Sequence, residues 1–199
     1  MRIALSISII MVIFSCGAPT VKNKNIIGSP TKNSSVSTTV SETSNPSLHN
    51  NAVQGNFNGN NQPISSYIKK IDAYKGITTI AFENNVLPQF NIPETYGGTL
   101  RSIQLEGFDR DLLLINAKLK DTSFSKYYLY VMRNSQWKMV INGFAIHNSN
   151  RPDTLMPIKI DKLNPKNVIR YYSVFDLDKK SKLGYTWRLL QESIPIINR

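Results

Sequence analysis

Apolar positions along this chain follow three different regimes. Residues 3–14 make an uncharged, mainly apolar run of 12. A helix needs about 20 such residues to cross a bilayer, so this run reads as the hydrophobic core of a cleavable leader and not as a transmembrane anchor. Between residues 17 and 62 apolar patterning all but vanishes into Ser, Asn, Thr and Gly, as in TKNSSVSTTVSETSNPSLHNN and GNFNGNNQ. Such a stretch buries too little to offset the entropy of ordering, and it reads as a disordered tether with a typical reach of about 35 to 40 Å. Patterning returns at Pro63 and continues to Arg199, long enough for one domain with a real core.

Within that domain the first element predicted is a short helix. Pro63 suits a first helical position, Ile64, Tyr67, Ile68 and Ile71 recur at helical spacing, and Gly76 can end the turn. After it the grammar changes to short runs of Ile, Val, Leu, Thr and Tyr between Pro, Gly, Asn and Asp clusters. These predict strands at 77–83, 99–106, 112–119, 125–132, 136–141, 168–175 and 184–191. LLLINAKL and YYLYVM are apolar at odd and even positions alike, which places them in a sheet covered on both faces. WKMVI alternates instead, with Trp137, Met139 and Ile141 expected on the drier face. Connections this short leave no room for crossover helices, so the pairing is expected to be antiparallel. The expected fold is therefore mainly β, an antiparallel sandwich or partly closed barrel with one short N-terminal helix.

The end of the leader carries the sharpest chemistry. Cys16 is the single cysteine of 199 residues, and it directly follows Ile13, Phe14 and Ser15. This order resembles the lipobox of bacterial lipoproteins, where an aliphatic residue at minus three and a small residue at minus one precede an invariant cysteine. The resemblance covers about the first 20 residues. It implies a diacylglycerol on the Cys16 sulfur, cleavage between Ser15 and Cys16, and a further palmitate-type chain on the new amino group. Two or three such chains hold a protein to a membrane permanently, where one holds weakly. Gly17 and Ala18 follow, with no Asp at the position that retains such lipoproteins in the inner membrane. The implied address is the cell envelope, at the periplasmic face of the outer membrane. With Cys16 lipidated, the domain has no thiol for a disulfide, a nucleophile or a Cys-type zinc site.

Charge changes the picture of partners. The chain has a net charge of +11, and from Pro63 onward 20 Lys or Arg face 12 Asp or Glu, a difference of +8. Cations thicken late, at Lys159, Lys162, Lys166, Arg170, Lys179, Lys180, Lys182 and Arg188, with Tyr171, Tyr172, Tyr185 and Trp187 among them. Such a field attracts anionic partners, and export excludes nucleic acid. Candidate catalysis is thin. His147 is the domain's one imidazole, set in AIHNSN without a GxSxG elbow, and reads as a turn histidine. Asp109 with Asp111, and Asp176 with Asp178, form two Asp-x-Asp pairs. The second begins like a calcium loop, yet Lys179, Lys180 and Lys182 oppose a cation, so turn roles are expected and no metal site. Asp153, Thr154 and Leu155 resemble the O-glycosylation acceptor of Bacteroidetes-type exported proteins.

These readings converge on an envelope lipoprotein without catalytic residues or cofactor. Its expected partners are the membrane, through the lipid, and an envelope protein or anionic envelope polymer bound by the basic later half. The alternatives are a small carboxylate-dependent hydrolase of envelope glycans and a lipid-carrying barrel.

Overall fold

The computed structural model describes residues 51–151 and 154–198. The leader, Cys16, most of the tether and Asp153 of the glycosylation motif lie outside the described residues. Among the described residues eleven strands are formed: β1 (Val53–Gly55), β2 (Ile64–Asp72), β3 (Ile77–Phe82), β4 (Phe90–Pro93), β5 (Gly98–Ile103), β6 (Leu112–Lys118), β7 (Phe124–Arg133), β8 (Gln136–His147), β9 (Ile158–Ile160), β10 (Asn167–Leu177) and β11 (Tyr185–Pro195). They pair antiparallel into three open sheets with orders β1-β2-β3-β4, β5-β6-β7-β8 and β11-β10-β9. The mainly β, antiparallel expectation holds, in layered form and without barrel closure.

The middle layer is the one written in the sequence. Along β6, Leu112, Leu113, Leu114 and Ile115 are all buried. Because successive side chains in a strand point to opposite faces, Leu113 and Ile115 enter one core with Ile80, Phe82 and Ile92 of the first sheet. Leu112 and Leu114 enter a second core with Ile158 and Val168 of the third sheet. Strand β7 repeats the division, Tyr128 and Met132 on one side, Tyr127, Leu129 and Val131 on the other. The β5–β8 sheet is therefore sandwiched between the other two.

Three expectations are corrected. Residues 64–72 form strand β2 and not a helix, and among the described residues there is no α-helix at all, only 3₁₀ turns at Glu83–Asn85 and Asn148–Asn150. The apolar spacing of this stretch fits both periods, since Ile64, Ser66 and Ile68 also alternate. The strand wins because β1 and β3 supply hydrogen-bond partners on both of its edges. Buried Ser66 even donates its hydroxyl to the Val53 carbonyl at 3.2 Å. A register shift between Ile68 and Lys70 then sets Ile71 opposite buried Thr78, on the face of Ile68, where it stays half exposed, and Gly76, at φ +62°, closes a hairpin turn in place of a helix end.

The fold also starts earlier than Pro63. Strand β1 pairs with β2, and Phe57, within the polar GNFNGNNQ, is fully buried, in T-shaped contact with Phe82 and Trp137. One aromatic ring supplies the apolar area that the composition around it lacks. Finally, WKMVI does not alternate. Val140 and Ile141 are both buried while Met139 is exposed, because register shifts around Leu129 bulge β8 at this point.

Candidate functional site

The face of the central sheet that the third sheet covers is not covered along its whole length. Residues Thr99 and Arg101 of β5, Asn116 and Lys118 of β6 and Ser125 of β7 occupy it through the pairings Thr99 with Asn116 and Lys118 with Ser125. By alternation, Asn116 and Lys118 continue the row begun by Leu112 and Leu114. The row is apolar where the third sheet packs on it and polar where that cover ends. There the residues line an open cleft of about 490 Å³, completed by Leu119, Thr122, Phe124, Asn148 and Arg151.

Local chemistry shapes this cleft. Gly98 lies at its edge where β5 and β6 approach so closely that a Cβ would collide with the Asn116 carbonyl oxygen. The Lys118 N–H donates to the Gly97 carbonyl at 2.9 Å and the Lys118 carbonyl accepts from the Tyr96 N–H at 2.9 Å, so the backbone under this lysine is held on both sides. Arg151 follows the 3₁₀ turn after β8, and its Nη1 donates to Ser125 Oγ at 2.5 Å. Asn148 ties the same turn to the β6–β7 loop, its N–H donating to the Ser123 carbonyl and its Nδ2 to the Thr122 carbonyl. Burial raises the pKa of the neighbouring Tyr127 phenol, while Arg151 and Arg101 pull it the other way.

Arg101, Lys118 and Arg151 thus converge on one depression, and among the described residues none of the three is within salt-bridge distance of a carboxylate. Neutral hydroxyl and amide groups from Thr99, Asn116, Thr122, Ser125 and Asn148 stand between them, and the Phe124 ring forms one wall. Three cations with neutral hydrogen-bonding groups and an aromatic wall suit an anion that also carries hydroxyl or amide groups. These three cations come from positions 101, 118 and 151, too dispersed to draw attention as a cluster. The sequence signal that could have found them is Asn116, a polar residue at an inward position of LLLINAKL.

The eight late cations do not form one surface. Lys159, Lys162 and Lys166 lie on β9 and the turn to β10, with Lys159 5.4 Å from the centroid of the Tyr171 ring. Lys179, Lys180 and Lys182 lie in the turn between β10 and β11. The length of β10, about 35 Å, separates the two groups. Between them Arg170 is engaged by Glu192 at 2.8 Å and lies over the Tyr172 ring, and Arg188 is 3.3 Å from Asp176.

Within the two Asp-x-Asp pairs and the histidine, turn contacts are confined, among the described residues, to Asp178 and His147. Asp178 accepts from the Lys180 N–H within the β10–β11 turn. Asp111 ties two segments together, accepting from the Asn56 N–H at 2.8 Å and from Ser102 Oγ at 3.2 Å. Asp109 sits between Arg110 and Arg133, whose hydrogen bonds hold its carboxyl far below the usual range. His147 caps the 3₁₀ turn, its Nδ1 accepting from the Ser149 N–H, and its ring stacks on Trp187 at 5.2 Å. No cluster of three or more His, Cys, Asp or Glu suited to a metal occurs among the described residues.

No family model, curated protein or solved structure matches this chain.

Proposed function

We propose that this protein is a non-catalytic binding module of the cell envelope, tethered through a lipid on Cys16 at the periplasmic face of the outer membrane. Its ligand is an envelope protein or an anionic envelope polymer, and the chemistry of the cleft suits the polymer. One observation carries this reading: Arg101, Lys118 and Arg151 share a cleft of about 490 Å³ whose described lining residues include no carboxylate. Most glycosidases cut with two facing carboxylates, so the described lining supports binding over cleavage. The basic region responsible is then the central sheet and not the late cation-rich segment alone.

Calorimetric titration of the full-length chain carrying Cys16→Ser with soluble muropeptides, which combine carboxylates, hydroxyls and amides, tests this. Saturable binding is expected at low salt, falling about tenfold or more in Arg101→Ala or Arg151→Ala, because hydrogen bonds to charged groups contribute about 1.5 to 3 kcal/mol. Lys162→Ala, far along the third sheet, leaves it unchanged. Absence of saturable binding, or equal losses in all three variants, overturns the cleft assignment. For the anchor, mass spectrometry of the native protein is expected to find a diacylglyceryl Cys16 at the new N-terminus. An unmodified thiol defeats that part of the proposal.

A further inference from the structure

The β10–β11 hairpin ends in a tip unlike the rest of the surface. Phe175, Leu177 and Leu183 are 54%, 79% and 72% exposed, and Tyr185 pairs across the ladder with Leu177. No residue from 174 to 186 joins either hydrophobic core. The turn itself is ordered: the Gly184 carbonyl accepts from the Asp178 N–H, the Ser181 N–H donates to the Asp178 carbonyl, and Ser181 Oγ donates to the Tyr185 carbonyl. It presents Lys179, Lys180 and Lys182 in exposed positions along with the apolar side chains. With Asp176 engaged by Arg188, the three lysines outweigh the remaining acid, Asp178.

Two kinds of surface attract such a tip, an acidic protein and an anionic membrane. Area decides between them. At about 150 to 250 Å² for a large side chain, the exposed parts of these four residues amount to roughly 400 to 500 Å². A stable protein interface takes about 800 Å² of mixed apolar and polar surface from about 20 to 30 residues of each partner, whereas this patch is confined to the single hairpin tip of residues 175–185. Insertion at a lipid boundary needs only a few apolar side chains, with lysines pairing to headgroup phosphates around them. We propose that the hairpin tip docks onto an anionic lipid surface, Phe175, Leu177, Leu183 and Tyr185 entering the boundary between headgroups and acyl chains while Lys179, Lys180 and Lys182 contact the phosphates. This contact is separate from the cleft and from the Cys16 anchor.

The test needs a local readout, because a leader or lipid chain also binds membranes. In the full-length chain carrying Cys16→Ser, an environment-sensitive fluorophore is attached through Leu183→Cys or, as the control, through Leu163→Cys. Leu163 is exposed in the turn before β10, at the far end of the hairpin. With phosphatidylcholine vesicles containing phosphatidylglycerol, the label at position 183 is expected to shift to shorter wavelength and brighten, and the label at 163 to stay as in water. Pure phosphatidylcholine gives no shift. Replacing Lys179, Lys180 and Lys182 with Gln lowers partitioning about a hundredfold, each lysine contributing about fivefold. Equal responses from the two labels, or a response at 183 to polyglutamate but not to the anionic vesicles, overturns the proposal.

Discussion

Phe57, Phe82, Phe90, Tyr130 and Trp137 interlock between the first and central sheets, whereas Phe124 and His147, paired at one end of β7 and β8 in the central sheet, lead through Trp187 and Phe175 to Tyr185 on the third. In the first group Phe82 stacks on Trp137 at 4.8 Å, Phe90 lies 4.7 Å from Tyr130, and Trp137 Nε1 donates to the Pro88 carbonyl at 3.0 Å. In the second, His147 stacks on Trp187 and Phe124 meets Trp187 edge-on at 4.9 Å, but the series then continues through Phe175 to Tyr185, away from any core. Similar rings at similar spacings serve different ends. Enclosed rings exclude water and hold two sheets together, while Phe175 and Tyr185 on the open hairpin stay 54% and 36% exposed.

The strongest way to break this contrast is to truncate the enclosed group. Phe82→Ala is expected to cost about 3 to 5 kcal/mol in urea unfolding, because both the transfer energy and the cavity count against it. A loss below about 1 kcal/mol shows that the first sheet is not packed as described. Next in size, Leu112→Ala and Leu113→Ala, on opposite faces of β6, are each expected to cost about 2 to 5 kcal/mol. If only Leu113→Ala is costly, the third sheet does not cover its face of the central sheet.

A subtler measurement concerns how the third sheet is pinned. Asp161 lies just after β9, where it accepts from Ser193 Oγ at 2.5 Å and from the Leu163 N–H at 2.9 Å. The Ser193 bond first, then the Leu163 N–H, lower its pKa below the ordinary 3.8. A lowered folded pKa means that the stabilisation is whole above the unfolded value, near pH 4, and drains as pH falls through the folded one. Asp161→Asn should therefore narrow the difference in melting temperature between neutral and acid solution, as should Ser193→Ala. An unchanged acid profile in both breaks the link between this carboxylate and the sheet. The smallest effect belongs to the open rings: Phe175→Ala is expected to stay within about 0.5 kcal/mol of the parent in the same urea assay. A loss of several kcal/mol there would make the hairpin tip part of the core and erase the contrast.

Much of the scaffold was legible, and the failures are instructive. All seven strands expected between residues 77 and 191 are present, and the doubly apolar LLLINAKL and YYLYVM do form the middle of the stack. Strands β4 and β9, of four and three residues, are too short to leave a pattern. At β2 the local signal was ambiguous between two periods. The crowded late cations are divided by the length of a strand, while the cleft gathers three that are far apart in the chain.

What the residues determine alone is local. Alternation, β-branching and turn residues specify which segments extend, and the run of apolar residues at odd and even positions specifies that one sheet has no free face, because each depends only on neighbours along the chain. Which segment pairs with which, whether 64–72 extends or coils, and where the apolar cover of the central sheet stops to leave Arg101, Lys118 and Arg151 facing one space were decided in three dimensions. Those outcomes depend on hydrogen-bond partners and contacts dozens of residues away, and no local period encodes them.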